Sequence, residues 1–414
     1  MWNLINSKKT TNYKAESLIS VDEFSYHFIN VPNEIAEIMK LLGILTLTLC
    51  SVFADDAIEE LQKGAVEFSA SLYQKAIKDQ EGANVILSPL SAQIVLALAQ
   101  LGAKGETALE LTKGLHLPDT PENLDSANKI YLKDGYTINP DFLKLSQEVF
   151  DASLENINFA EAAKAAQTIN SWVESKTNDK IKNLIDPSAL DDLTRLVLVN
   201  AVYFKANWSS PFDAYGTSKR KFYKSEKEEI DVDTMHVTDT FKYVENKKLD
   251  AKFLELPYEG GDVVMRIIVP NKKEGLTALE GQLSEVLQPQ QYNSQSVSLF
   301  MPKFKIESTF KLIPALKELG IEKAFEGGKA DFSGFLVNPE PLVISDVIQK
   351  AFINVTESGT EAAAATAVFI VAPSVPGAPV WPITLEVNRP FLYSICTSSG
   401  DPIFLGRVTS PSFF

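Results

Sequence analysis

Residues 196–204 read LVLVNAVYF, and this run constrains the fold more than any other stretch of the chain. Apolar side chains on consecutive positions, rather than on alternate ones, suit a strand that is covered on both faces. Such a strand needs one layer above it and another below, so the chain must build a large layered core. Its 414 residues allow that, in one large domain or in two. Apolar residues make up 45% and charged residues 22%, which excludes a disordered chain.

The elements expected around this strand are unevenly distributed. Residues 57–80 form an amphipathic pattern, with Leu61, Phe68, Leu72 and Ile77 on one side. Val85 to Leu87 reads as a short strand. Ser88 then caps a helix and Pro89 suits its first turn. That helix is apolar nearly all round (Ile94, Val95, Leu96, Leu98, Leu101) and ends at Gly102 and Gly105, so it belongs in the interior. A further helix carries Ile169, Trp172, Val173, Ile181, Leu184 and Ile185, stopped by Asp186-Pro187. Strands are expected at 263–269, 297–306 and 342–355, with a helix at 311–319 between the last two. Two more, 391–396 and 403–408, are joined by the turn at 398–401. No internal repeat or clear linker divides the chain, so the expectation is a single α+β domain, helices early and sheets late.

Lys and Arg number 39 against 54 Asp and Glu, a net charge of −15, which disfavours a nucleic-acid or anionic-membrane partner. Residues 39–54, MKLLGILTLTLCSVFA, have the form of a secretory signal peptide. Lys40 leads a short apolar run, Leu41 to Leu49, and Val52 and Ala54 fit cleavage before Asp55. Residues 1–38 are then expected to be an upstream extension, and 55–414 the working unit. No other run is long and apolar enough for a membrane helix. Removing residues 1–54 takes Cys50 and leaves Cys396 without a partner for an internal disulfide, so stability must come from the core. Asn207-Trp-Ser and Asn354-Val-Thr are glycosylation acceptor patterns in a secreted chain.

The three histidines offer little to an enzyme. His116 and His236 have no zinc-ligand spacing, and no Gly-x-Ser-x-Gly elbow, phosphate loop or His-Glu-x-x-His helix is present. Cys396, flanked by Phe391, Tyr393 and Ile395, reads as core rather than nucleophile.

Residues 357–371, ESGTEAAAATAVFIV, are unusual instead. By propensity the alanines form a short surface helix. Read with period two, however, Thr360, Ala362, Ala364, Thr366, Val368 and Ile370 share one face, every one small, β-branched or apolar, and Glu361 lies on the other. Such a segment can slip between existing strands without overpacking, and Gly359 supplies a pivot.

Over residues 57–409 the chain resembles the serpin family, most nearly the secreted serpins of insects. The resemblance rests on ordered motifs: NVILSPLS (84–91), INSWVESKTNDKIKNLI (169–185), LVNAVYFKANW (198–208), MPKFKI (301–306), ESGTEAAAAT (357–366), NRPFLYSI (388–395) and PIFLGRV (402–408). It implies the α+β serpin fold of three β-sheets, eight to nine helices and an exposed reactive loop, here about 357–382. It implies inhibition of a serine endopeptidase, which cleaves the loop and is trapped as an acyl-enzyme while the loop inserts as a strand. It implies no cofactor.

By the same resemblance the hinge is Glu357, Gly359, Thr360, Glu361, Ala362, Ala363, Ala364, Ala365 and Thr366, with Glu357 paired to Lys303. Trp208 lies beneath the point where the loop enters, and Ser88, Ser91 and Asn200 mark where the central strands part. Gln349 stands where the family often has histidine. Counting from Gly359 puts the scissile bond at Pro373-Ser374; counting back from Asn388 points nearer Pro379-Val380. Val371-Ala372 is the elastase-like alternative. Residues 117–133 hold only Lys129 and Lys133, which does not support heparin-type activation. A monomer is expected. The rival readings are a non-inhibitory carrier, chaperone or storage serpin, kept open by the Pro-rich stretch 373–382, and an inhibitor of cysteine proteases.

Overall fold

The computed structural model describes residues 54–114, 124–150, 153–338, 340–360 and 381–412. It begins with helix α1 (Ala54–Ala76), which buries Leu72 and Tyr73. Strand β1 (Val85–Leu87) leads to α2 (Pro89–Gly102). There the Ser88 hydroxyl accepts from Ser91 N at 3.3 Å, as a cap should, and Ala92, Val95 and Leu98 are buried. Helix α3 (Gly105–Gly114), β2 (Leu124–Lys133), α4 (Pro140–Phe150) and β3 (Ser153–Ile157) follow.

Helix α5 (Ala162–Lys176) stops well short of the expected Asp186-Pro187. Thr177 ends it: its hydroxyl donates to Val173 O at 2.8 Å and accepts from Ile181 N at 3.2 Å. Asn178, Asp179 and Asn183 then take positive φ (48°, 60° and 51°). Such backbone cannot continue a helix. Ile181, Leu184 and Ile185 are buried all the same, from an irregular segment, which is why the apolar spacing ran on.

Next come β4 (Leu196–Phe204), β5 (Ala206–Asn207), β6 (Ser218–Tyr223), β7 (Glu229–Asn246), β8 (Ala251–Pro257) and β9 (Val263–Pro270). Short helices α6 (Leu276–Glu280) and α7 (Leu283–Val286) precede β10 (Asn293–Pro302) and β11 (Phe304–Lys311). The single strand expected at 297–306 is thus two, broken at Lys303. Pro302 has no N–H to donate, and the halves serve different sheets, β10 pairing with β7 and β11 with β12 (Ile344–Val355). Helix α8 (Ile313–Glu318) lies before β12. After it come β13 (Gly359–Thr360), β14 (Ile383–Glu386), β15 (Phe391–Thr397) and β16 (Pro402–Val408). The early strands β2 and β3 and the run β6 to β8 were not expected. Strands with one wet face, such as β6 and β7, give no continuous apolar run.

Among the described residues there are eight α-helices, and the strands form two hydrogen-bonded networks. One runs β3-β2-β4-β12-β13-β5, with β11 on the other side of β12. The second runs β1-β16-β15-β9-β8-β7-β10-β14, with β6 also on β7. The long β7 belongs to two sheets at once: residues 229–234 pair with β6 and 234–243 with β10, whereas 242–246 pair with β8. Counted this way the α+β fold has three sheets, as the family resemblance implied.

All nine residues of β4 are buried. Val202 and Phe204 pack on the core between the sheets, with Met265, Phe304 and Phe391. Val197, Val199, Ala201 and Tyr203 face the opposite way, under α5 with Ile169 and Val173. The apolar run is continuous because both faces are covered.

Candidate functional site at the seam between two parallel strands

Strands β4 and β12 run parallel and adjacent, paired from Leu196↔Ile344 to Tyr203↔Phe352. Beyond Val355 the chain turns back, with Thr356 N and its hydroxyl both donating to Gly359 O at 2.9 and 3.0 Å. It returns as β13, which pairs Thr360 with Val355 on one side, and Gly359 with Asn207 and Thr360 with Ala206 on the other. The sheet therefore forks at this end, and Gly359 and Thr360 fill the fork. Gly359 is required by space: a Cβ there would come within 2.3 Å of Ala206 O.

The base of the fork is tied on several sides. Trp208 N donates to Ser358 O at 3.0 Å, and Phe212 N to Glu357 O at 2.8 Å. The Glu357 carboxylate receives Lys303 Nζ at 2.9 and 3.0 Å, and the Thr217 hydroxyl at 2.7 Å. Partial burial pushes the Glu357 carboxyl up, but the Lys303 and Thr217 hydrogen bonds outweigh it and hold its pKa below the usual value. Trp208 is 1% exposed; its Nε1 donates to Thr356 O at 3.0 Å and its ring stacks on Tyr258 at 4.4 Å. Trp208 thus bonds both ends of the short turn from Thr356 to Ser358.

Midway down the seam, Gln349 of β12 sits opposite Asn200 of β4, and both are fully buried. The Gln349 amide donates to Asn200 Oδ1 at 2.7 Å and to Ser88 O at 2.8 Å, and its carbonyl oxygen accepts from Ser88 N at 2.8 Å. Asn200 Nδ2 donates in turn to the Ser91 hydroxyl, and the Ser88 hydroxyl to Ile403 O at 2.8 Å. One polar cluster thus clips both parallel strands to the N-terminus of α2. Gln349 makes these three bonds with an uncharged amide, so no titratable ring takes part in the cluster.

Of the residues singled out from sequence, Glu357, Gly359, Thr360, Lys303 and Trp208 meet at the fork, and Ser88, Ser91, Asn200 and Gln349 meet in the seam. Glu361, Ala362, Ala363, Ala364, Ala365 and Thr366 lie outside the described residues. So do Val371, Ala372, Pro373 and Ser374, and the segment 39–53. Sequence reasoning missed Tyr258, whose hydroxyl lies 2.7 Å from that of Thr360, and Thr217 on Glu357. It also missed Lys350, whose Nζ donates to Lys182 O at 2.6 Å, tying β12 to the segment after α5, and pairs with Glu307 at 2.6 Å. None of the three carries a local signal, because each partner is remote in the chain.

Cys396 is buried in β15, where burial pushes its thiol up to about 11. His236 stacks on Phe300 at 4.4 Å and shares a hydrogen bond with Ser298 at 3.0 Å. Among the described residues no group of His, Cys, Asp and Glu could hold a metal ion, and no helix is long and apolar enough to cross a membrane.

A family model described as serpin (serine protease inhibitor) matches residues 63–411. Alaserpin of Manduca sexta is 36% identical over 397 residues, covering 90% of this chain and 99% of that protein. Antitrypsin of Bombyx mori is 36% identical over 379 residues, covering 86% and 96%. The crystal structure of Serpin48 from the insect Tenebrio molitor superposes with a TM-score of 0.79 at 40% identity, covering 86% of this chain and 99% of that one.

Proposed function

The chain belongs to the serpin family, a family of protease inhibitors, and we propose that it is a secreted, monomeric suicide inhibitor of serine endopeptidases. Its reactive loop, about 357–382, is cut by the target; the amino-terminal part then inserts between β4 and β12 and carries the acyl-protease with it. The carrying observation is the fork: Gly359 and Thr360 already pair with β5 and β12 in the space a new central strand would occupy. The residues that follow, Glu361 to Thr366, are compatible with continuing it, since those on the inward face are small. A dozen new ladder hydrogen bonds at about 1 kcal/mol net each supply on the order of 10 kcal/mol. A displacement of about 1 Å in the target's active site is enough to stall deacylation roughly 100-fold.

Residues 39–54 are read as the signal peptide, 1–38 as an upstream extension and 55–414 as one serpin unit. For a secreted product the usable glycan acceptor is Asn207, which is exposed; Asn354 lies half-buried in β12 with its Oδ1 enclosed. Enzymatic deglycosylation should shift the secreted protein but not its Asn207→Gln variant. A shift retained in that variant contradicts the assignment.

The test of function is incubation with elastase, chymotrypsin, trypsin, a prolyl endopeptidase and a papain-like protease. At least one serine protease should give a complex that survives boiling in detergent, and mass spectrometry of the released peptide should place the cut at Pro373-Ser374. A cut at Val371-Ala372 moves the bond and leaves the mechanism. Complexes with the papain-like enzyme alone would make this an inhibitor of cysteine proteases. No complex with any of the five favours the carrier, chaperone or storage reading.

A further inference from the structure

Thr360 and Tyr258 are 0% and 1% exposed, and their hydroxyls are 2.7 Å apart. Nothing near Thr360 in sequence supplies that partner: Tyr258 follows β8, from the other strand network, 102 residues away. Its ring is held on two sides, stacked on Trp208 at 4.4 Å and edge-on to Phe204 at 4.9 Å. Its backbone forms a bridge to that of Trp208. The phenol oxygen is therefore fixed in place, aimed into the fork. Burial also pushes the phenol above its ordinary pKa, so it stays protonated at any physiological pH.

We propose that Tyr258 is a positioning residue for loop insertion, holding Thr360 between β5 and β12 so that the inserting strand grows from an end already seated. The inference rests on the suicide-inhibitor reading above. A buried hydroxyl needs a hydrogen-bond partner, and without one it gains by returning to water. Removing the tyrosyl oxygen leaves the Thr360 hydroxyl without this bond and shifts the hinge outward by about tenfold in its in/out ratio. The cut loop must then seat its first residue before the rest can follow. The acyl-enzyme gains time to hydrolyse, and more inhibitor is consumed for each protease trapped.

The experiment uses the full chain with a protease that the wild type traps, and compares Tyr258→Phe, Thr360→Val and the double variant. The rate of loop cleavage and the stoichiometry of inhibition are measured separately. Each single substitution should raise the stoichiometry severalfold while cleavage stays within about twofold of wild type. The double variant, having lost both hydroxyls, should return toward wild type, because neither group is left orphaned. A merely structural role would lower thermal stability without this split or this recovery. Wild-type stoichiometry in Tyr258→Phe, or single effects that add in the double variant, overturns the inference and leaves the function standing. A wild type that traps no protease overturns both.

Discussion

Glu357 and Thr360 are three residues apart and answer to different physics. Glu357 is held ionised by Lys303 and Thr217, with its pKa below the usual value. A carboxyl lowered on folding stabilises the structure above its unfolded pKa, near 4.3, and loses that contribution as pH falls through the folded value. The stability difference between wild type and Glu357→Gln should therefore hold constant from pH 7 to about pH 5 and shrink only below about pH 4. Denaturant titrations at stepped pH measure it, and a difference already gone at pH 6 contradicts the assigned role. Thr360 is governed by burial. Thr360→Arg forces a charge into a site with no exposure, so the hinge cannot seat, and protease should cleave the variant without being trapped. Full trapping by this variant on a denaturing gel contradicts insertion. Thr360 was legible as the start of a small-residue segment with period two, whereas Glu357 and its partner Lys303 were reached only through the family resemblance. Tyr258 was not legible, since a hydroxyl pair formed across 102 residues leaves no trace in either neighbourhood.

At the scale of elements, the central strands were the most readable part of the chain. Strand β4 lies where its apolar run placed it, and α2 begins at the expected cap and proline. The misreadings share a cause: apolar spacing reports burial, not conformation. Ile181, Leu184 and Ile185 are buried without being helical, and residues 297–306 are extended on both sides of a change of sheet. The residues of the polar cluster at the seam were reached through the family resemblance, and the fold supplies their connections. Gln349 joins β12, β4 and the start of α2 through both ends of one amide. Gln349→Leu keeps the volume and removes these bonds, leaving the Ser88 N–H without that acceptor in a buried position. The intact form should lose about 2–4 kcal/mol in urea unfolding. A loss below about 0.5 kcal/mol would show that the cluster does not hold the seam closed.

At the scale of the molecule, the proposed inhibition requires a topology that is complete enough to be stable and yet can accept one more strand. The layered core holds the sheets together, and the parallel pairing of β4 with β12 is what an added strand must replace. The family resemblance made the architecture legible, because its motifs fall on elements of both strand networks and on the helix packed against β4. What could not be read is how far the loop's start is already seated, since that depends on contacts from both strand networks. The direct measurement is the thermal midpoint of the intact protein beside that of protein cut once in the loop by a protease it does not trap. About 10 kcal/mol gained on insertion should raise the midpoint of the cut form by roughly 10–15 °C. Equal midpoints, or a lower one after cutting, would contradict insertion as the source of inhibition.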